Sequence, residues 1–276
     1  MSLRFEAAVG GGTPVLSPIA ADLAANRVRA VRGIVNGSTN YVLTAMAEGG
    51  GEFEAALRRA QELGYAEADP ATDVEGRDAA DKLAILVRLA FGAWPDVARL
   101  RRSPPGSEGD AAPGITGVTA RVVEAAARNG LRMRLVASAE RGEDGCVRAS
   151  VLPSAVPDGS ALGRTSGVEN RVEVEAEPVG RVAFVGPGAG GASTSSAVVG
   201  DLLAIAAGRG STWGTLPRAD RLPDELLVDG LDRSRRWLVP DPSIEGEVAG
   251  PLTLDALRRR LPPHAGGTLY PILDEA

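Results

Sequence analysis

Leu131-Arg132-Met133-Arg134-Leu135-Val136-Ala137-Ser138-Ala139-Glu140-Arg141-Gly142-Glu143-Asp144-Gly145-Cys146-Val147-Arg148-Ala149-Ser150-Val151-Leu152 reads as two strands and a turn. Leu131 to Ala139 and Cys146 to Leu152 are strand-like, and the polar turn Gly142 to Gly145 between them is a hairpin signal. A second pair follows, Arg171 to Ala176 and Arg181 to Val185, around Pro178-Val179-Gly180. Just upstream, Thr119 to Asn129 is an amphipathic helix stopped by Gly130, placed to pack on these strands. The expected fold is α/β of the α+β kind, an open and mostly antiparallel sheet with helices packed on one face.

Toward the N-terminus, Phe5 to Val9 is a strand candidate that runs into Gly10-Gly11-Gly12-Thr13-Pro14, and a helix is expected from about Val15 to Ala25. Arg27 to Val35 is a further strand, whose alternation slips phase at Val31-Arg32. Helices are expected at Tyr41 to Ala47 and at Phe53 to Leu63, the second closed by Gly64. Residues 102–113 are rich in Pro, Gly and Ser and read as a loop. A helix from Ser193 to Ala207 follows Gly186-Pro187-Gly188-Ala189-Gly190-Gly191. From Gly208 onward no plan emerges beyond a helix at Leu254 to Leu261 and strands at Arg236 to Val239 and Leu269 to Leu273.

The bulk properties are those of a globular protein with one or two domains: 276 residues, 44% hydrophobic and 24% charged. A net charge of −6 without any basic block argues against nucleic acid or an anionic membrane as partner. No stretch is long and apolar enough to span a bilayer, and the first residues do not resemble a signal peptide. Cys146 is alone, so no disulfide framework or multi-thiolate metal site is expected. His264 is the only histidine and sits in loop composition, which disfavours serine-triad and histidine-zinc chemistry.

Among 30 Lys and Arg residues, Lys82 is the only lysine. Arg is effectively never deprotonated, whereas an ammonium can be tuned to give or take a proton. A lone Lys in an Arg-rich chain is therefore a candidate for proton chemistry, though a solvated surface charge reads the same by rarity alone. Its helix strengthens the case. On a wheel of 3.6 residues per turn, Arg77, Asp81 and Arg88 form a polar stripe, while Leu83, Ile85, Leu86, Leu89 and Ala90 fill the other arc. Lys82 projects into the apolar arc, with Asp78 one turn earlier at i, i+4. A buried structural Asp–Lys pair would share this pattern. Upstream, Glu67, Asp69 and Asp73 crowd carboxylates that suit a substrate ammonium, or simply a helix N-terminus.

Two glycine-containing turns, Asn36-Gly37-Ser38-Thr39 and Gly186 to Gly191, each follow a strand and open a helix, where unpaired N–H groups can meet an anion. The first suits a carboxylate. The second resembles a nucleotide-binding turn, but its spacing is not G-x-G-x-x-G and no acidic residue ends a following strand.

Taken in order, these pieces resemble the homoserine dehydrogenases over roughly residues 4–209. The resemblance rests on Glu6 to Pro14, Gly33-Ile34-Val35-Asn36-Gly37-Ser38-Thr39-Asn40-Tyr41, Gly64-Tyr65-Ala66-Glu67-Ala68-Asp69-Pro70 through Lys82, Gly114-Ile115-Thr116, and Phe184 to Asp201. It implies interconversion of L-homoserine and L-aspartate 4-semialdehyde with NAD(P)(H), in cytoplasmic amino-acid biosynthesis toward threonine and methionine. It further implies that Lys82 is the proton donor to the carbonyl oxygen and that Asp78 is the carboxylate beside it. By the same resemblance Glu67 binds the substrate amino group, and Asp73, Gly37, Ser38 and Tyr65 line the substrate. Gly190 falls where a late Gly-rich turn meets the cofactor. Backbone groups near Glu6, Val9, Gly11 and Thr13 match a monovalent cation site for Na+ or K+. A homodimer paired through the sheet of residues 131–185 is implied as well.

The family begins with a Rossmann domain, whose phosphate-binding fingerprint and second catalytic lysine are not found in this sequence. The expected organisation is therefore residues 1–14 as the last strand and turn of a dinucleotide-binding domain and 15–185 as the substrate and dimerisation domain. Residues 186–209 would return to the dinucleotide side, and 210–276 form an extension without assignment. The alternative to an enzyme by descent is a non-enzymatic remnant or interaction module.

Overall fold

The computed structural model describes residues 2–106, 110–214, 218–241, 248–261 and 267–274; His264 lies outside them. Six strands make one sheet: β1 (Arg27–Ile34), β2 (Leu131–Arg141), β3 (Val147–Pro157), β4 (Glu169–Glu177), β5 (Gly180–Pro187) and β6 (Leu227–Asp229). Their spatial order is β5-β4-β1-β2-β3-β6. All pairs are antiparallel except β3 with β6. The β2–β3 hairpin is paired without a break from Leu131↔Pro157 to Arg141↔Val147. Its turn closes because Gly145 adopts φ +79, which a side chain would resist, and because the Asp144 carboxylate accepts the Cys146 N–H.

Alternation then separates the two faces. Leu131, Met133, Leu135, Ala137 and Ala139 of β2, with Val147, Ala149, Val151 and Ala155 of β3, turn to one side and join the main core. On that side lie α1 (Gly37–Gly49), α2 (Phe53–Glu62), α3 (Ala71–Val74), α4 (Arg77–Phe91) and α5 (Ala120–Arg128). α5 starts at Thr119, whose hydroxyl caps the Val122 N–H, and buries Val122, Val123, Ala125 and Ala126. α4 begins and ends on left-handed glycines, Gly76 and Gly92, and buries Leu83, Leu86 and Val87 completely. The expected mostly antiparallel sheet with helices is thus present.

Its second face is partly covered too. Val136, Val156 and Ile34 point there and pack on Leu162 of the short helix α6 (Ala161–Arg164). Arg134 is buried beside them, donating to the carbonyls of Met133 and Gly163, and burial pushes its pKa down to about 10.

Beyond Gly208 the described residues follow a definite course that their composition hides. After α7 (Gly191–Ala206) the chain bonds to Trp94 through Asp220 and Leu222, then enters the sheet as β6. It continues as β7 (Arg235–Leu238), β8 (Val248–Leu252), α8 (Leu254–Arg260) and β9 (Tyr270–Pro271). The last three strands form a small sheet, β8-β7-β9, around the fully buried Trp237, whose indole N–H donates to the Leu252 carbonyl. The N-terminal segment is tied to the start of this region. Leu3 exchanges bonds with Ser211 and Thr212, Arg4 donates to the Gly210 carbonyl, and the Glu6 N–H donates to Asp201.

Four local expectations differ, one being the helix expected from about Val15 to Ala25, where Pro18–Asp22 forms a π-helix of only five residues. Phe5 to Val9 is not a strand: Glu6–Ala8 is a 3-10 turn. The Glu6 carboxylate turns inward to accept the N–H groups of Val15, Leu16 and Ser17 and the Ser17 hydroxyl, and these bonds fold the segment back on itself. The irregularity in β1 lies between Val28 and Ala30, where a bulge against β4 shifts the register, not at Val31-Arg32. Arg88 does not share the solvent stripe of Arg77 and Asp81. It is buried because Trp213 covers it, with the guanidinium 5.5 Å from the ring centre and Phe5 and Trp94 packed on the same indole.

Candidate active site

Where β1 ends, the chain passes through Val35 and Asn36 into α1, and this junction gathers the acidic and basic groups. Asn36 is the N-cap: its side-chain oxygen accepts the Thr39 N–H at 2.9 Å and its hydroxyl at 3.0 Å. Its amide nitrogen donates to Asp73 at 2.7 Å and to Asp78 at 2.8 Å. Lys82 donates to the same Asp78 oxygen at 2.7 Å and to the Val35 carbonyl at 3.0 Å. Asp73, from α3, and Asp78 and Lys82, one turn apart on α4, are thereby joined through one buried amide. The Lys82 side chain is 20% exposed and that of Asp78 is 27%. The pair is therefore neither solvated nor sealed. Of the three Lys82 ammonium protons, two have protein acceptors among the described residues. An ammonium held this way can offer its third proton to a substrate oxygen within hydrogen-bond reach.

α3 is seated by its own neighbours. The Ile115 N–H bonds the Val74 carbonyl at 2.8 Å, and Gly114, at φ +58, approaches so closely that a Cβ there would collide with the same carbonyl. Gly76 opens α4 in the left-handed region, which lets the chain turn from α3 to α4 within two residues.

The other sequence-derived candidates lie around this centre in different states. Gly37 packs its bare Cα on Val168, where a Cβ would come within 2.9 Å of the carbonyl. The Ser38 hydroxyl donates to the Tyr65 carbonyl at 2.5 Å, and the Tyr65 ring, 42% exposed, lies 5.0 Å from that of Tyr41. Glu67 follows on an exposed segment held by Gln61, and its carboxylate makes no ion pair among the described residues. The hydrogen bonds and ion pair of Lys82 and Asp78 go to Val35, Asn36 and each other, not to Glu67. Asp69 is occupied locally, accepting the Ala71 N–H.

A second constellation stands apart. Gly11 and Gly12 approach the turn of Gly188 and the start of α7 so closely that a Cβ on either would strike backbone of Gly188 or Ser193. Gly190 is the N-cap of α7 at φ +115. Asn170 of β4 is buried against Gly188, and among the described residues neither its amide atoms nor the buried Thr13 hydroxyl has a partner. Glu6, Val9, Gly11, Thr13 and Gly190 are therefore close along the chain fold, but they form a separate group from Lys82. The Glu6 carboxylate already accepts four bonds, so a cation there would meet backbone carbonyls instead. No group of three or more His, Cys, Asp or Glu side chains suited to a metal occurs among the described residues. A cleft of about 620 Å3 opens elsewhere, between the second face of the sheet and the β7 region; Arg29, Arg233 and Arg236 in its walls already pair with Glu177, Glu140 and Asp274.

Asn36 was visible in the sequence only as part of a helix-opening turn. Its signal was positional, an Asn immediately before Gly-Ser-Thr at a helix start, and that signal reports a cap, not a second bond to two carboxylates.

Comparison with known proteins places this arrangement. A family model of homoserine dehydrogenase matches residues 14–203. A homoserine dehydrogenase of Mycobacterium leprae is 45% identical over 233 residues, covering 82% of this chain and 51% of its own length. One from Synechocystis is 43% identical over 204 residues, covering 73% and 45%. The chain thus spans about half the length of the curated relatives it matches. Among solved structures, a homoserine dehydrogenase from Thiobacillus denitrificans superposes with a TM-score of 0.78 at 29% identity, over 98% of this chain and 70% of its own. A hyperthermophilic archaeal homoserine dehydrogenase in complex with NADPH gives a TM-score of 0.58 at 29% identity, over 74% and 55%.

Proposed function

Because the chain belongs to the homoserine dehydrogenase family, we propose that it provides the substrate side of an oxidoreductase that interconverts L-homoserine and L-aspartate 4-semialdehyde. The observation that supports this most is the Lys82–Asp78 bond of 2.7 Å, in a pair only partly open to solvent. Lys82 donates a proton to the substrate oxygen in reduction and takes it back in oxidation. Asp78 orients the ammonium. Glu67 binds the substrate amino group; its carboxylate is exposed and has no ion pair among the described residues. Asp73, Gly37, Ser38 and Tyr65 shape the remainder, with the Asn36 turn and α1 facing the substrate carboxylate.

The Gly186 to Gly191 turn fits one edge of a nicotinamide cofactor. Gly190, at φ +115, and Gly191, where a Cβ would meet open space, offer bare backbone for close approach beside the buried Asn170 amide. A nicotinamide cofactor bound there would supply the hydride in reduction and accept it in oxidation. A monovalent cation near Glu6, Val9, Gly11 and Thr13 would be held by backbone oxygens beside the unpartnered Thr13 hydroxyl. Pairing of two copies through the sheet of residues 131–185, and a cytoplasmic setting, belong to the same reading. No helix among the described residues is long and apolar enough to cross a membrane.

The test uses a chimera in which residues 14–203 replace the matching region of a full-length relative. Lys82→Arg keeps the charge and removes the tunable proton. It should lower kcat by roughly 100- to 10,000-fold, with a far smaller change in homoserine affinity. Near-normal kcat in the Arg variant overturns the assignment. The 276-residue chain alone should turn over slowly, since its described residues provide one edge of cofactor contact. If the folded chain shows no homoserine binding by calorimetry, the remnant reading takes its place.

A further inference from the structure

Asn36 is 6% exposed, and every polar atom of its side chain is committed. Its orientation is not open to a flip. A backbone N–H, that of Thr39, points at one amide atom, so that atom is the oxygen, and the NH2 group must face the carboxylates. That NH2 group carries two protons and has two acceptors, Asp73 at 2.7 Å and Asp78 at 2.8 Å. The Asp78 oxygen it reaches is the one that accepts Lys82. The residue before it, Val35, supplies the other Lys82 acceptor. Two consecutive residues at the end of β1 therefore hold both Asp78 and Lys82, and the α1 cap locks them in place.

We propose that Asn36 is a positioning residue of this site: its carboxamide holds the Asp73 and Asp78 carboxylates side by side and so aims the Lys82 ammonium. Two carboxylates on successive helices, α3 and α4, repel each other, and a neutral double donor between them offsets that repulsion without adding a charge beside Lys82. Neither an Asp nor a Ser at position 36 could do this, although both preserve an oxygen for the Thr39 cap. The chemical significance of the aim rests on the reading of Lys82 as proton donor; the aim itself does not.

The single lysine makes the inference measurable in the intact chain. Lysine labelled with 13C and 15N gives one side-chain signal, that of Lys82. In the parent, its ammonium protons should exchange slowly, and L-homoserine should shift the signal. In Asn36→Asp and Asn36→Ser, the signal should move toward that of free lysine, proton exchange should accelerate, and homoserine affinity should fall by about tenfold. Circular dichroism identifies variants that remain folded. An unchanged Lys82 signal in a folded variant overturns the proposal. If neither variant folds, the Asn36 side-chain NH2 protons of the parent decide: slow exchange supports the inference and free exchange overturns it. A signal that moves in the variants but ignores homoserine in the parent leaves the positioning role intact and removes the dehydrogenase reading.

Discussion

α4 and α7 are helices of nearly equal length, 15 and 16 residues, and each follows a glycine at positive φ. Their fates differ. α4 buries nine residues, whereas α7 buries only Ala204 and leaves Val198, Val199, Leu202, Leu203 and Ile205 open. α4 carries its chemistry on side chains, Asp78 and Lys82, which have to be held to a few tenths of an ångström. α7 offers backbone at its first turn. The difference teaches that side-chain chemistry is placed where core packing already immobilises the helix, while a backbone cradle needs only the turn to be well packed.

The sharpest way to break this comparison is to truncate equivalent leucines. Leu83→Ala or Leu86→Ala in α4 should destabilise the chain by about 3 kcal/mol in chemical denaturation, since both are fully buried. Leu203→Ala in α7, at a residue 66% exposed, should stay within about 0.5 kcal/mol. Equal losses would mean that α7 is buried in solution and the contrast is void.

Glycines sharpen it at the level of turns. Gly114→Ala should cost about 2 kcal/mol, because the left-handed backbone and the Val74 carbonyl both oppose a Cβ. It should also loosen α3, visible as faster exchange of the Ile115 amide. Gly188→Ala presses on a side chain, Asn170, and should cost less. The reverse ranking would place the rigid turn on the α7 side.

A smaller effect concerns the hairpin that anchors the sheet beneath α4. The Arg148 guanidinium, then the Cys146 N–H, hold the Asp144 carboxyl down at about 2, from an ordinary value of 3.8. A lowered carboxylate stabilises the fold above its unfolded value and loses that contribution as pH falls through its folded value. The turn contact should therefore persist at pH 3 and disappear near pH 2, read by the Asp144 carboxyl resonance. Titration near 3.8 would show the Arg148 contact to be absent in solution.

Much of this was legible in the residues. The Leu131 to Leu152 hairpin, the second strand pair, the Lys82 helix with its Gly92 stop and the Lys82–Asp78 bond follow from periodicity, turn chemistry and i, i+4 spacing. These are local rules, and the elements obey them. The misses are non-local. Phe5 to Val9 has strand composition, but Glu6 finds donors nine to eleven residues away. Arg88 falls on the polar side of a wheel, yet Trp213, 125 positions later, covers it. The role of Asn36 depends on Asp73 and Asp78 arriving from two other helices. The course of the described residues in 218–241, 248–261 and 267–274 depends on sheet edges and faces that no window of sequence displays.

The bonds of Leu3, Arg4 and Glu6 to Asp201, Gly210, Ser211 and Thr212 act as a mechanical clasp. Tension applied between residue 3 and residue 212 is carried by these few contacts, pulled apart side by side, and does not pass through the sheet. A load that pulls residue 3 away from residue 212 is thus met first by this clasp, ahead of the pairing of β6 with β3 that follows it in the chain.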